Sequence, residues 1–521
     1  MTATAVADPP RRKTTQGVAR GGLANMAGSA LAGGTGVAVT WVVARGLGAE
    51  QAGAFFAATA AFVLAGGLAK LGTQTGLVYW PARLRATGND HLLGACLRTG
   101  LTPVLAFAVL LGFAMWFGAP AIAHLTAQES PHVVGAHTTG LRVLAVFLPL
   151  QALTDALLTA TRGYKAMRPT VTLDRITRSA LQLLCVGAVG VAGLSTMATL
   201  PEFALAWAVP YLPVTVLAAF ALRRTYLAGR PHQARTRRGE RRRLRRDFWR
   251  FTGPRALASV AQLALQRVDV LLVAALGGLA AAAIYAVAGR FVVLIQFANQ
   301  GISQSVQPRL AEALATGDRE TANHLYQTAT GWLVLVTWPI NFLVILLAPV
   351  YLGLFGDAYP RGADVVVVLA CAMLVATGCG MVDMVLAMAG RTSWNLVNVL
   401  IALGVTIGLD VLLIPRYGAL GAAIGLACAM VANNLLPLVQ VGRAARLHPF
   451  GTGTLTAAGL SAACFGLVPG LVTTVTGAGP AGLTLAVATA VPAYAVGVWL
   501  LRGPLALDAF QPRKLIQRRT G

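Results

Sequence analysis

Apolar stretches of about twenty residues recur along nearly the whole chain, separated by short polar connections. This is the pattern of helices long enough to cross a hydrocarbon core of roughly 30 Å. It predicts spans near 20–44, 52–79, 98–118, 139–161, 169–192 and 201–222, then near 251–275, 280–306, 328–352, 362–388, 394–415, 419–442, 452–475 and 480–501. The fold class expected is an all-α polytopic membrane protein of about 14 transmembrane helices. Its parts would be a basic tail (1–19), a six-span lobe (20–222), an Arg-rich linker (223–250), a second six-span lobe (251–442), a further helix pair (443–501) and a tail (502–521).

Composition agrees with this pattern. Of 521 residues, 56% are hydrophobic and only 12% charged, against roughly a quarter charged in soluble domains, which excludes an ordinary soluble enzyme. The formal net charge of +24 would suggest nucleic acid on a soluble protein, so its location decides. With the N-terminus inside, 32 of the 42 Lys and Arg fall on the inner side and only Arg45, Arg361 and Arg416 on the outer. By the positive-inside rule both termini are expected in the cytoplasm, with the protein in the plasma membrane. The linker Arg223 to Arg250 holds 12 Arg against Glu240 and Asp247. It reads either as a topology signal and flexible link or as an attraction for membrane lipids and acidic substrates, at about 1 kcal/mol per basic residue near the surface. Without interleaved aromatics or a fold of its own, it gives no reason to expect a nucleic-acid partner.

Candidate chemistry is sparse. Cys96, Cys185, Cys371, Cys379, Cys428 and Cys464 lie in apolar runs without CxxC or metal-ligand spacing, and read as small core residues. The longest outer connection offers His124, Glu129, His132 and His137 but no base–nucleophile pairing. No phosphate-binding loop pattern is present, so ATP is not the direct energy source. Neither a cofactor nor catalysis is expected.

A shift of 229 residues sets 45–88 against 274–317 with thirteen of 44 positions identical, including Gly48 with Gly277, Gly72 with Gly301, and Ala86-Thr87-Gly88 with Ala315-Thr316-Gly317. Both copies start outside and end inside. A parallel repeat of this kind implies two lobes related by an axis along the membrane normal, with a substrate site between them.

Several strings carry a resemblance. They are Ala44-Arg45-Gly46-Leu47-Gly48-Ala49-Glu50-Gln51-Ala52-Gly53, then Asp269, Tyr285 and Arg290, then Gln307-Pro308-Arg309-Leu310 with Gly317-Asp318. Further on come Phe355-Gly356-Asp357-Ala358-Tyr359, Gly390-Arg391 and Ile414-Pro415-Arg416-Tyr417-Gly418-Ala419-Leu420-Gly421-Ala422-Ala423. Over nearly its whole length the chain resembles the MOP exporter superfamily, specifically its polysaccharide and lipid-linked oligosaccharide flippases. The resemblance implies two six-helix lobes, alternately open to the two sides, that turn a polyprenyl-diphosphate-linked oligosaccharide across the membrane for cell-surface polysaccharide assembly. A polysaccharide polymerase or glycosyltransferase would be the implied partner. The last helix pair looks like the added helices that help form a lipid-tail groove in the lipid II flippase subgroup.

Charges inside the spans sharpen this picture, since each costs at least about 2.5–3.5 kcal/mol without a partner or a wet cavity. The first eight spans carry Lys70, Arg142, Arg175, Arg178, Arg255, Arg267 and Arg290 against Asp155, Asp174 and Asp269. A cavity between the lobes would therefore be cationic and suited to a diphosphate, which Arg grips through paired hydrogen bonds. Lys70 and Arg290, on the repeat-related spans, are the leading anion ligands, followed by Arg267. Arg178 is either a ligand or a helical i,i+4 partner of Asp174. Arg142 and Arg255, near span ends, either join the site or snorkel to the interface. Asn25 and Gln74 offer hydrogen bonds to sugar or phosphate, or to neighbouring helices. The rival readings are a cation-coupled multidrug exporter, a membrane scaffold and an integral glycosyltransferase.

Overall fold

The computed structural model describes residues 11–196, 198–228, 237–477 and 479–507, with side chains from residue 30 onward apart from a few positions. Every regular element among the described residues is helical. The first helix, α1 (Arg11–Ala69), is two crossings in one: Gly48 has φ 72° and ψ 174°, a conformation that only glycine adopts readily. The apolar stretch Ala30–Ala86, 57 residues long, would extend about 85 Å as one straight helix, nearly three times the hydrocarbon thickness. Counting it twice brings the 13 apolar helical stretches of the described residues to the fourteen crossings expected.

The first lobe continues through α2 (Thr73–Ala86), α3 (Leu93–Thr126), α4 (Val134–Gly163), α5 (Ser179–Thr196), α6 (Leu200–Ala208) and α7 (Tyr211–Ala228). The second holds α8 (Arg238–Leu276), α9 (Gly278–Ala288), α10 (Arg290–Ala315), α11 (Arg319–Leu346), α12 (Ala348–Gly353), α13 (Ala363–Gly378), α14 (Val382–Met388), α15 (Thr392–Tyr417) and α16 (Ala419–Ala445). The final pair, α17 (Thr452–Ser461) with α18 (Val468–Thr476) and then α19 (Pro480–Leu500), packs on α11.

The internal repeat reappears in backbone detail. At the end of α2 the amides of Thr87 and Asn89 bond the carbonyls of Arg83 and Leu84, at 3.0 and 2.8 Å. At the end of α10 the amides of Thr316 and Asp318 bond those of Glu312 and Ala313, at 3.0 and 2.9 Å. Gly88 and Gly317 supply the left-handed residue of each cap, at φ 70° and 74°.

Several spans read as continuous are in fact interrupted. The second breaks at Lys70-Leu71-Gly72, with Leu71 and Gly72 at φ 49° and 68°, and the eighth bends between α9 and α10 at Gly289. The tenth breaks at Gly380, φ 73°, between α13 and α14. Apolar length does not register such breaks, because the apolar stretches Ala30–Ala86, Gly278–Ser303 and Tyr359–Met388 run through them.

The lobes meet closely on the side that carries the Gly48 and Gly277 turns, as α2 and α8 do at Gly72 and Gly76. A Cβ on Gly53 would run into the Leu279 carbonyl, so only glycine lets α1 lie this near α9. On the same side the Trp41 indole and the Arg45 guanidinium both donate to the Leu354 carbonyl, at 2.8 and 2.9 Å. Helix α8 bridges the two halves. Its Arg-rich beginning buries Leu244 and Phe248 against the first lobe, while its later turns pack on α15 in the second.

Candidate functional site

Two cavities lie along the lobe boundary and share a wall, because the neighbours Gln266 and Arg267 on α8 line one each. The first, of about 230 Å³, is bounded by both arms of α1 through Thr35, Thr40, Phe55, Phe56 and Thr59, and by Gln182 and Trp207. Three of the expected cations, Arg178, Arg267 and Arg290, point into it.

Their surroundings differ. Arg178 closes an irregular, π-type turn (Thr170–Arg178) that starts the fifth crossing. Its Nε donates to Asp174 at 2.8 Å, its Nη1 donates to Gln182 at 3.0 Å, and the guanidinium stands over the Tyr211 ring. Arg267 and Arg290 have no such anchor. The Nε of each is buried without a hydrogen-bond partner among the described residues, and no carboxylate there makes an ion pair with either. Arg290 lies over the Phe56 ring at 5.8 Å. Asp269 attracts Arg267 from two residues on, but no carboxylate stands at ion-pair distance from either guanidinium among the described residues, and an anion that comes that close to both gains correspondingly.

The second cavity, of about 280 Å³, is lined by Gly67, Lys70, Gly72 and Gln74 from the first lobe and by Ser259, Gln262, Leu263 and Gln266 from α8. Lys70 stands at the break in its span, where its carbonyl accepts from the Thr73 amide and hydroxyl. Its Nζ sits 2.6 Å from Asp155, so the strongest charge in this cavity is already neutralised. Irregular backbone at membrane depth survives only where it is buried in protein or lines a cavity. The Lys70 break and the bend before Arg290 both meet that condition.

The remaining candidates are placed apart. Arg142 lies in neither cavity: it stacks over Trp116 on the α3–α4 face, its Nε buried without a partner. Arg255 is exposed, donates to the Phe251 carbonyl at 2.8 Å and lies 4.0 Å from that ring. Phe251 in turn stacks on Tyr79 of α2. Asn25 lies outside the residues whose side chains are described. Ser259, Gln262 and Gln266 are not among the residues expected from the sequence, since uncharged polar residues in a span serve helix contacts as readily as a site. Their i, i+3, i+7 spacing, a polar stripe on one face of an apolar helix, was the available signal.

The acids of the second lobe form a separate group. Asp269 is buried and accepts from the Tyr285 hydroxyl and the Val270 amide. Asp410 on α15 is fully buried, and neither of its carboxylate oxygens has a partner among the described residues.

Comparison with known proteins places this architecture. A MatE family model matches residues 254–412, inside the second lobe. The lipid II flippase MurJ, in an inward closed conformation, superposes with a TM-score of 0.70 at 14% identity, over 92% of this chain and 98% of MurJ. An inward-facing multidrug resistance MATE transporter of the MOP superfamily gives 0.65 at 15%, over 79% and 94%. A MOP superfamily transporter from Pyrococcus furiosus, described as having a binding pocket of reverse polarity, gives 0.54 at 14%, over 82% and 95%. No curated protein matches the chain in sequence. The fold is thus that of the MOP superfamily transporters, an all-helical, multi-pass membrane architecture. The solved structures that share it are a flippase and transporters, not enzymes.

Proposed function

We propose that the chain is a flippase that moves a polyprenyl-diphosphate-linked oligosaccharide from the inner to the outer leaflet by alternating access. The observation that carries this reading is the unpaired couple Arg267 and Arg290, facing one cavity at the lobe boundary. Arg178, already oriented by Asp174, adds a third cation to the same wall. A diphosphate has enough oxygens to engage all three, and guanidinium groups bind phosphate through paired donors.

The charge asymmetry of the connections supports an orientation in which the Arg-rich start of α8 faces the cytoplasm. The tight contacts at Gly53, Trp41 and Arg45 then lie on the outer side, and those of Gly72 and Gly76 with α8 on the inner side. A cargo with roughly two negative charges moves outward down the inside-negative potential. At 100 mV this supplies about 4–5 kcal/mol if both charges cross uncompensated. On the return, Asp155 and Asp174 offset Lys70 and Arg178 within the empty carrier.

The second reading, a cation-coupled exporter, is favoured by one feature, the partnerless Asp410 near Asp269 in the second lobe. The first lobe offers no equivalent, since Asp155 and Asp174 already hold cations. Proteoliposomes containing a polyprenyl-diphosphate sugar separate the two. The flippase reading expects flipping to rise with an inside-negative potential and to need no ATP. A rate that follows a Na+ or H+ gradient at zero potential, ignores voltage and is lost in Asp410→Asn would favour cation coupling instead.

A further inference from the structure

The two cavities share a wall and differ in kind. One is cationic, with two arginines unpaired. The other is polar and close to neutral, because Asp155 holds the Lys70 ammonium at 2.6 Å and its other polar side chains, Gln74, Ser259, Gln262 and Gln266, are uncharged. We propose that this second cavity is a sugar subsite: Gln262 and Gln266, with Gln74 opposite them, read the hydroxyls of the first sugars attached to a diphosphate held at Arg267 and Arg290. The proposal rests on the flippase reading and deepens it.

Side-chain chemistry supports the division. A carboxamide offers two donors and an acceptor on one flat group, and so can satisfy the alternating donor and acceptor demands of neighbouring sugar hydroxyls; an anion has no use for the acceptor. Gln74, Gln262 and Gln266 have no hydrogen-bond partner among the described residues, so their carboxamides are available to a ligand. The Ser259 hydroxyl donates to the Arg255 carbonyl at 3.1 Å, which leaves its oxygen free to accept.

The geometry gives an order. Ser259, Gln262 and Gln266 lie at i, i+3 and i+7 on one face of α8, and Arg267, the next residue, is turned about 100° around the axis from Gln266. At about 1.5 Å per residue, Gln262 lies about 7.5 Å and Ser259 about 12 Å along the axis from Arg267. A glycan joined to the diphosphate and running along that face meets the glutamines first and the serine last. The broken turn Lys70-Leu71-Gly72 lines the opposite side of the cavity, and Gly72 approaches the backbone of Ala256 so closely that a Cβ there would collide with it. Lys70 and Asp155 act here as a fixed ion pair in the subsite wall.

Equilibrium binding to the purified full chain in lipid nanodiscs tests this, with two probes: bare polyprenyl diphosphate, and polyprenyl diphosphate carrying a single hexose, tried in turn as glucose, galactose and N-acetylglucosamine. At least one sugar-bearing probe is expected to bind about tenfold tighter than the bare lipid, the size of one or two net hydrogen bonds. In the double variant Gln262→Leu, Gln266→Leu that ratio should fall to near one, and Gln266→Asn, which keeps a shortened carboxamide, should give an intermediate ratio. A wild-type ratio of one for all three sugars, or a ratio that survives the double variant, overturns the subsite while leaving the diphosphate site standing. Failure of the wild type to bind either probe overturns the flippase reading and the subsite with it.

Discussion

The two lobes handle their buried charges in opposite ways. In the first, both embedded acids are spent on cations: Asp155 on Lys70 at 2.6 Å, and Asp174 on Arg178 at 2.8 Å. In the second, no acid holds a cation at ion-pair distance among the described residues, although Asp269 attracts Arg267 from two residues on. Asp269 is held by the Tyr285 hydroxyl, Asp410 has no hydrogen-bond partner among the described residues, and Arg267 and Arg290 face the cavity with a bare Nε each. The difference teaches where an anionic cargo gains most. A phosphate near Lys70 must compete with a carboxylate already in place. A phosphate near Arg267 and Arg290 meets no carboxylate at ion-pair distance, only the longer-range pull of Asp269 on Arg267.

The largest effect expected follows from the second lobe. Arg267→Gln with Arg290→Gln removes the two unpaired charges but keeps side chains of similar shape. Charge-assisted hydrogen bonds are worth about 1.5–3 kcal/mol each, so flipping of a polyprenyl-diphosphate sugar in proteoliposomes should fall at least a hundredfold. Accumulation in the membrane should hold or improve, since an uncompensated charge pair has been taken out. Near wild-type flipping would show that the unpaired charges do not serve the cargo.

The first lobe should respond the other way round. Asp155→Asn or Asp174→Asn leaves a half-buried cation without its partner, expected to lower stability by about 1–3 kcal/mol and to reduce folded yield. Replacing both members of a pair, as in Lys70→Met with Asp155→Leu, should restore the yield, read by size-exclusion profile and thermal unfolding, and keep much of the flipping. If that double variant folds well yet does not flip, Lys70 belongs with the anion ligands after all, and the contrast between lobes weakens.

Much of this architecture was legible in the sequence, for reasons that can be stated residue by residue. Apolar stretch length reported the crossings, because the hydrocarbon core imposes it. The Asp174–Arg178 pair was legible because helical periodicity brings residues four apart onto one face. The Lys70–Asp155 pair was not, since its members are 85 residues apart and only the packing of α1 and α2 on α4 joins them. The breaks at Gly72 and Gly289 were hidden because this chain places glycine throughout its helices, so another glycine signals nothing by itself. The division into a charged and a neutral cavity was not legible either: Gln262, Gln266 and Ser259 carry no charge, and an uncharged polar residue in a span serves a helix contact as readily as a site.

If the lobe boundary holds an anion, it does so because Arg267 and Arg290 have no ion-pair partner among the described residues. The most direct test is equilibrium binding of polyprenyl diphosphate to the purified chain, in competition with a lipophilic organic cation and across a range of salt. The account predicts that polyprenyl diphosphate binds, that salt weakens it, that the Arg267→Gln, Arg290→Gln variant loses it, and that the organic cation does not compete. Binding of the organic cation together with no measurable affinity for polyprenyl diphosphate would contradict it.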